Sequence, residues 1–310
     1  MDFGYDYESC VKASEKVSWR LDDVMPIGTR LDFSRKFLPD RLAPTDALSK
    51  LFDDDQRRAL NHIAANAYLN LFAFVEEYIL ATMLKHAQAE VFGKPEALRA
   101  LSRFVDEELK HQMLFERYRD AFDRDFGSRC EVLENAVEVA GVIMSHSPIA
   151  ILLVTLHLEL MTQQHFTECV KDEAAIDPLF KSLLRNHWLE ESQHAKIDAL
   201  ELGKLTSSAT PERVAKGFDE YLGILEAFDG LLGQQAEMDA NSLGAVLGRE
   251  LTAEERAAVI ATQLTGYRRT FIWYGMTNPT FCTIIKQISP EKAATVKDQS
   301  PKYGASAHVS

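Results

Sequence analysis

Two short stretches of the chain carry a carboxylate and an imidazole three residues apart. In "EELKH" the pair is Glu108 and His111, and in "HWLEESQHAK" it is Glu191 and His194. On a helix this spacing sets both side chains on one face, where they can share a metal ion. With 9 histidines in 310 residues, about one such pair arises by chance, and either alone reads as a solvated ion-pair face. The separation of the two copies carries more. A carboxylate-bridged dinuclear centre takes a lone Glu from each of two helices and Glu-x-x-His from each of two others. The lone carboxylates should then lie on the helices just before the two pairs. Glu159 sits in "VTLHLELMT", and Glu76 and Glu77 sit in "LFAFVEEYIL". Both stretches are otherwise apolar, and a carboxylate there is costly unless paired or metal-bound. Glu76 precedes Glu108 by 32 positions, and Glu159 precedes Glu191 by the same 32. That equality favours Glu76, with Glu77 as the alternative.

Four carboxylates and two imidazoles make a hard donor set. It suits two iron ions, with manganese as the alternative, better than copper or a thiolate-bound metal. His187 extends the set. At 100° per residue, His187, Glu191 and His194 point within about 60° of one another, so His187 is placed to join Glu191 and His194 on one metal. A histidine hydrogen-bonded behind the ligands, or in the core, is the other reading. The matching position before Glu108 is Phe104, so His187 breaks the repeat. Gln163 and Asp198, each four residues beyond a proposed ligand, are candidates to hydrogen-bond the ligands or to face solvent. Trp188 is expected to pack beside the site.

Such ligands need long helices to hold them. Asp53, with Gln56 three residues on, caps a proline-free run to about residue 90 that is apolar almost all round, which predicts a buried central helix. Further helices are expected over about 95–126, 131–145, 148–171, 178–202, 211–239 and 252–276. They are opened by Ser147-Pro148, Asp177-Pro178, Thr210-Pro211 and the Thr252/Glu255 box, and stopped at Gly127 and Gly203. No alternating strand pattern appears. The fold expected is all-α: a ferritin-like four-helix bundle at 53–205 within a single domain, an irregular segment over 1–50, additional helices over 206–289 and a polar tail over 290–310.

The formal net charge of -13 argues against binding nucleic-acid backbone or an anionic membrane surface. Cys10, Cys130, Cys169 and Cys282 are scattered, with no CxxC pair, which suits a reducing, cytoplasmic setting. "MDFGYDYESC" lacks the apolar segment of a secretory signal. "PIAILLVTLHLELM" is broken by His157 and Glu159 and is shorter than the roughly 20 residues that span a bilayer. No GxGxxG fingerprint or cysteine cluster suggests a nicotinamide, flavin or iron–sulfur group.

Lone Glu, Glu-x-x-His, lone Glu, then His-x-x-x-Glu-x-x-His resembles the p-aminobenzoate N-oxygenase (arylamine oxygenase) family of ferritin-like non-haem di-iron proteins. The matching stretches are "FVEEYIL", "DEELKHQ", "LHLELMT" and "HWLEESQHAK", within residues 53–205. His187 is the most specific mark. The resemblance implies O2 as co-substrate at two irons, oxidation of an aryl amine to a hydroxylamine or nitro product, a small-molecule substrate and an external electron donor. A homodimer is compatible with it. Other di-iron oxidases (an aliphatic hydroxylase, a desaturase, a peroxide-reducing protein) and a non-enzymatic iron-handling protein share nearly the same ligands. Residues 206–310 carry no motif that assigns them a role.

Overall fold

A capping box opens the described chain: Asp6 accepts the Ser9 amide and Ser9 accepts the Asp6 amide, starting α1 (Tyr7–Val17). The computed structural model describes residues 4–304, and every regular element among them is helical. The one-turn α2 (Leu21–Val24) and a 3-10 turn at Thr45–Leu48 lead to α3 (Asp54–Ala89). Asp53 and Gln56 exchange hydrogen bonds at its start, as the sequence suggests. Then follow α4 (Pro95–Asp125), α5 (Ala136–Ile143), α6 (Pro148–His165), α7 (Pro178–Ser208) and α8 (Pro211–Leu247). The remainder is α9 (Ala253–Arg268), α10 (Tyr274–Thr277), α11 (Pro279–Ile288), α12 (Pro290–Gln299) and α13 (Pro301–Gly304).

α3 packs along α4 and α6 along α7, and the two pairs meet through α4 and α7. α8 lies against α3 and α6, and α9 against α8. Every residue of α6 from Ile149 to Thr162 is buried, which is what an apolar surface on all sides requires. α3 is the one described helix long and apolar enough to cross a membrane, and 72% of its apolar window is buried inside the protein.

Two helices end in π turns, Phe166–Val170 after α6 and Arg269–Trp273 after α9. A π turn leaves carbonyls without their usual partners. His165 Nε2 lies 2.9 Å from the Thr270 carbonyl and His157 Nε2 lies 3.0 Å from that of Phe271. Both rings donate to the second π turn, while His157 Nδ1 meets the Tyr221 hydroxyl at 2.8 Å. Burial lowers the pKa of His157 to about 4 and of His165 to about 3, so both stay neutral.

Several boundaries correct the sequence expectations. Residues 1–50 are not irregular throughout, because α1 buries Cys10, Val11 and Ser14 against α4 and α7. The polar tail is helical over α12 and α13, where Ser289 caps the first and Val296 and Tyr303 are buried. Residues 305–310 lie outside the described residues. Gly203 does not stop α7, which runs on until the extended residues Ala209 and Thr210 before Pro211. α8 passes Asp239 and ends at Gly248, whose φ of 64° is the left-handed conformation glycine adopts without strain.

Candidate metal centre

α3 supplies Glu76, α4 Glu108 and His111, α6 Glu159, and α7 His187, Glu191 and His194. None of these seven side chains is more than 3% exposed. Their donor atoms form two groups, each within 4.8 Å: Glu76, His111, His187 and Glu191 in one, and Glu108, His111, Glu191 and His194 in the other. His111 and Glu191 belong to both. Glu159 hydrogen-bonds Glu191 and sits in the field of Glu108 and His194. Glu77 is half-buried and enters neither group, so Glu76 is the α3 carboxylate that faces the cluster.

His187 and His194 do not share a group. His187 Nε2 lies 3.1 Å from Glu76 and 2.5 Å from Glu191, whereas His194 Nδ1 lies 2.8 Å from Glu108 and 2.8 Å from Glu191. Helical rise accounts for their separation in the metal-free arrangement. Seven residues advance the axis by about 10 Å, so two side chains on one face straddle Glu191 from opposite ends.

The donor set fits two metal ions. Glu76 Oε2, both Glu108 oxygens and His111 Nδ1 are buried without an aligned hydrogen bond. Buried polar atoms are seldom left so, and crowding of donors and acceptors without alignment is the signature of ligands that face a common point. Burial raises the Glu76 carboxyl to about 8, and Glu108 adds to it. Burial and Glu191 hold Glu159 well above its ordinary value. Burial disfavours charge on His111, His187 and His194, but the surrounding carboxylates, Glu191 foremost, together outweigh it and all three are raised. Burial also works against charge on Glu191, yet His187 and His194 draw it well below the carboxylate range. Protons on imidazole thus balance the carboxylates, a role that metal cations take over when ligands deprotonate.

Behind the ligands lie two glutamates that the sequence reading missed. Glu190 Oε2 accepts from His111 Nε2 at 3.0 Å, and Glu107 Oε2 accepts from His194 Nε2 at 3.0 Å. The links cross: the glutamate of each motif serves the histidine of the other. Both rings are thereby turned so that Nδ1 faces the cluster. Glu107 is held in turn by Ser14 of α1 and by Arg103, and Glu190 by Lys110, whose ammonium sits 4.1 Å from the centre of the Trp19 ring. A signal existed in the sequence: both motifs read Glu-Glu-x-x-His.

The other candidates fall outside the donor groups. Gln163 donates to the Trp188 carbonyl at 3.0 Å, and Trp188 stacks on Phe166 at 4.5 Å. Asp198 is fully buried with no aligned partner, and burial holds its carboxyl well above the ordinary value, so it keeps its proton. Phe104, the counterpart of His187 in the repeat, stacks on His194 at 3.8 Å. His187 packs edge-on to Phe72 and Phe115, which close that end of the cluster to water.

A family model for P-aminobenzoate N-oxygenase AurF matches residues 8–217. Among solved structures, an R2-like ligand-binding oxidase with aerobically reconstituted Mn/Fe cofactor is 13% identical, with a TM-score of 0.49 over 85% of this chain and 92% of that one. A variant of an R2-like ligand-binding oxidase with aerobically reconstituted Fe/Fe cofactor is 14% identical, with a TM-score of 0.49 over 85% of this chain and 92% of that one. No curated protein matches the chain.

Proposed function

Since the chain belongs to the P-aminobenzoate N-oxygenase AurF family and is an oxidoreductase, we propose that it uses a pair of iron ions and O2 to oxidise the nitrogen of a small amine. Manganese is the alternative metal. The observation that carries the reading is the pair of buried donor groups that share His111 and Glu191. Glu76, His111 and His187 would hold one ion, Glu108, Glu159 and His194 the other, and Glu191 lies between them. Two such ions supply O2 binding and the redox equivalents to split it.

The residues supply the rest. Glu190 and Glu107 each take one imidazole N–H and so orient the histidines. Phe72, Phe104 and Phe115 exclude water from the rings. Asp198 stores a proton on its carboxyl one turn beyond His194. Conversion of an amine to a hydroxylamine takes one O2, two electrons and two protons and releases one water. The electrons would come from an external donor. All four cysteines are free, three of them buried, which fits a cytoplasmic enzyme.

The test is anaerobic loading with Fe(II), metal analysis per chain, and turnover of aryl amines with O2 and a chemical reductant. Two irons per chain and a hydroxylamine or nitro product are expected. Tens of irons per chain would mean storage. Two irons with oxidation at carbon alone would mean another oxidase.

A further inference from the structure

A cavity of about 340 Å³ lies between α3, α5, α6 and α8. We propose that it is the substrate chamber, and that it selects an uncharged, apolar aryl amine carrying no carboxylate. This rests on the reading that the neighbouring centre oxidises an amine.

The chamber adjoins the ligand helices at the right places. Its wall includes Val75, which precedes Glu76, and Leu158, which precedes Glu159. Tyr78 also lines it and is fully buried, with its hydroxyl in the field of Asp198, Glu159 and Glu108. Tyr78 thus links the chamber wall to the neighbourhood of the carboxylates.

The lining decides the class of occupant. Val154, Ile224, Phe228 and Leu231 contribute apolar surface, and among the described residues no Lys, Arg, Asp or Glu lines the space. The polar side chains are Tyr78 and His146, and His146 is tied by Nδ1 to the Val142 carbonyl at 3.0 Å. A carboxylate entering here would shed its water without gaining a cation, which is costly. An aryl amine is neutral near pH 7 and sheds little. The rim is apolar as well: Val142 is 57% exposed, and Gly223 and Ala227 of α8 are exposed beside it.

Gly223 offers a direct test. A Cβ built there meets no atom within 4 Å, so Gly223→Phe has room at its Cβ to start a side chain at the chamber, and it removes a helix-weakening glycine. Ala227→Trp blocks the same mouth from one turn further on. Iron-loaded wild type and both variants would be titrated calorimetrically with 4-propylaniline and with 4-aminobenzoate, with iron content and melting temperature measured on the same samples. We expect wild type to bind 4-propylaniline at least about tenfold more tightly than 4-aminobenzoate. Both variants should keep iron and melting temperature and lose about tenfold or more in affinity for 4-propylaniline. Equal or tighter binding of 4-aminobenzoate overturns the proposal, as does unchanged 4-propylaniline affinity in both folded variants. A wild type that holds two irons but ignores 4-propylaniline sinks the chamber alone. A wild type that holds no iron sinks the oxidase reading and the chamber with it.

Discussion

An imidazole that gives one nitrogen to a metal must place its other N–H somewhere, and in a dry bundle that place has to be built. Glu107 and Glu190 are that provision. Glu107→Ala or Glu190→Ala should weaken iron binding by about 10- to 100-fold while the helices persist, with the Gln variants recovering part of the loss. Metal titration with circular dichroism on the same samples checks this. His187→Ala should retain the helical fold and lower iron occupancy, chiefly in the group that contains Glu76. Unchanged iron content would return His187 to a packing role. Protonation yields a further expectation. In the metal-free protein His111 and His194 are raised above the ordinary imidazole value, since the carboxylates around them together outweigh burial. A raised folded pKa contributes stability that is full below about pH 6.5 and is lost as pH rises. Glu76, raised to about 8 by burial and by Glu108, acts in the same direction. The melting temperature of metal-free protein should therefore fall between about pH 6 and about pH 9, and bound iron should flatten the profile. A metal-free melting temperature that climbs over that interval would contradict the charge balance described.

At the scale of elements, the two π turns and their histidines make a second buried polar joint. Gly275 permits it: a Cβ there would come 2.2 Å from His157 Nε2. Gly275→Ala should cost about 1–3 kcal/mol of stability by driving the ring off the Phe271 carbonyl. Gly230→Ala in α8, where a Cβ meets no atom within 4 Å, should instead stabilise by about 0.5–1 kcal/mol. Denaturant unfolding of both variants separates them, and a Gly275→Ala protein as stable as wild type would show that the joint gives way freely. These elements differ in how far the sequence announces them. Cap and proline pairs such as Asp53/Gln56 and Ser147-Pro148 are local chemistry, so the long helices are legible. α1 is not, because the prolines after it suggest loop while its stability comes from packing on α4 and α7. The π turns leave no mark in residue type. Their partners His157 and His165 read only as interruptions of an apolar run until the fold brings α6 against residues 269–273.

Across the whole molecule, the ligand faces are legible because α-helical periodicity is strict, and the equal spacing of the two helix pairs singles out Glu76. Which atoms meet is less so. The division of His187 and His194 between two groups depends on axial rise, which a view down the helix suppresses. Glu107 and Glu190 escape because a link between helices has no spacing rule along the chain. Those crossed links also govern how the protein comes into being. Neither half holds a finished set of donors, since the first lacks the carboxylate that orients His111 and the second the one that orients His194. A fragment of residues 1–130 should take up no tightly held iron despite its own Glu108 and His111, and iron retention after desalting measures this. On the ribosome the first motif emerges some eighty residues before the second, at about 5–20 residues per second. Throughout those seconds the nascent chain would offer iron no complete seat. Metal should then arrive only after translation has passed His194 and the two halves have closed on each other. The growing polypeptide would thereby be spared a reactive metal ion beside its still unfolded backbone.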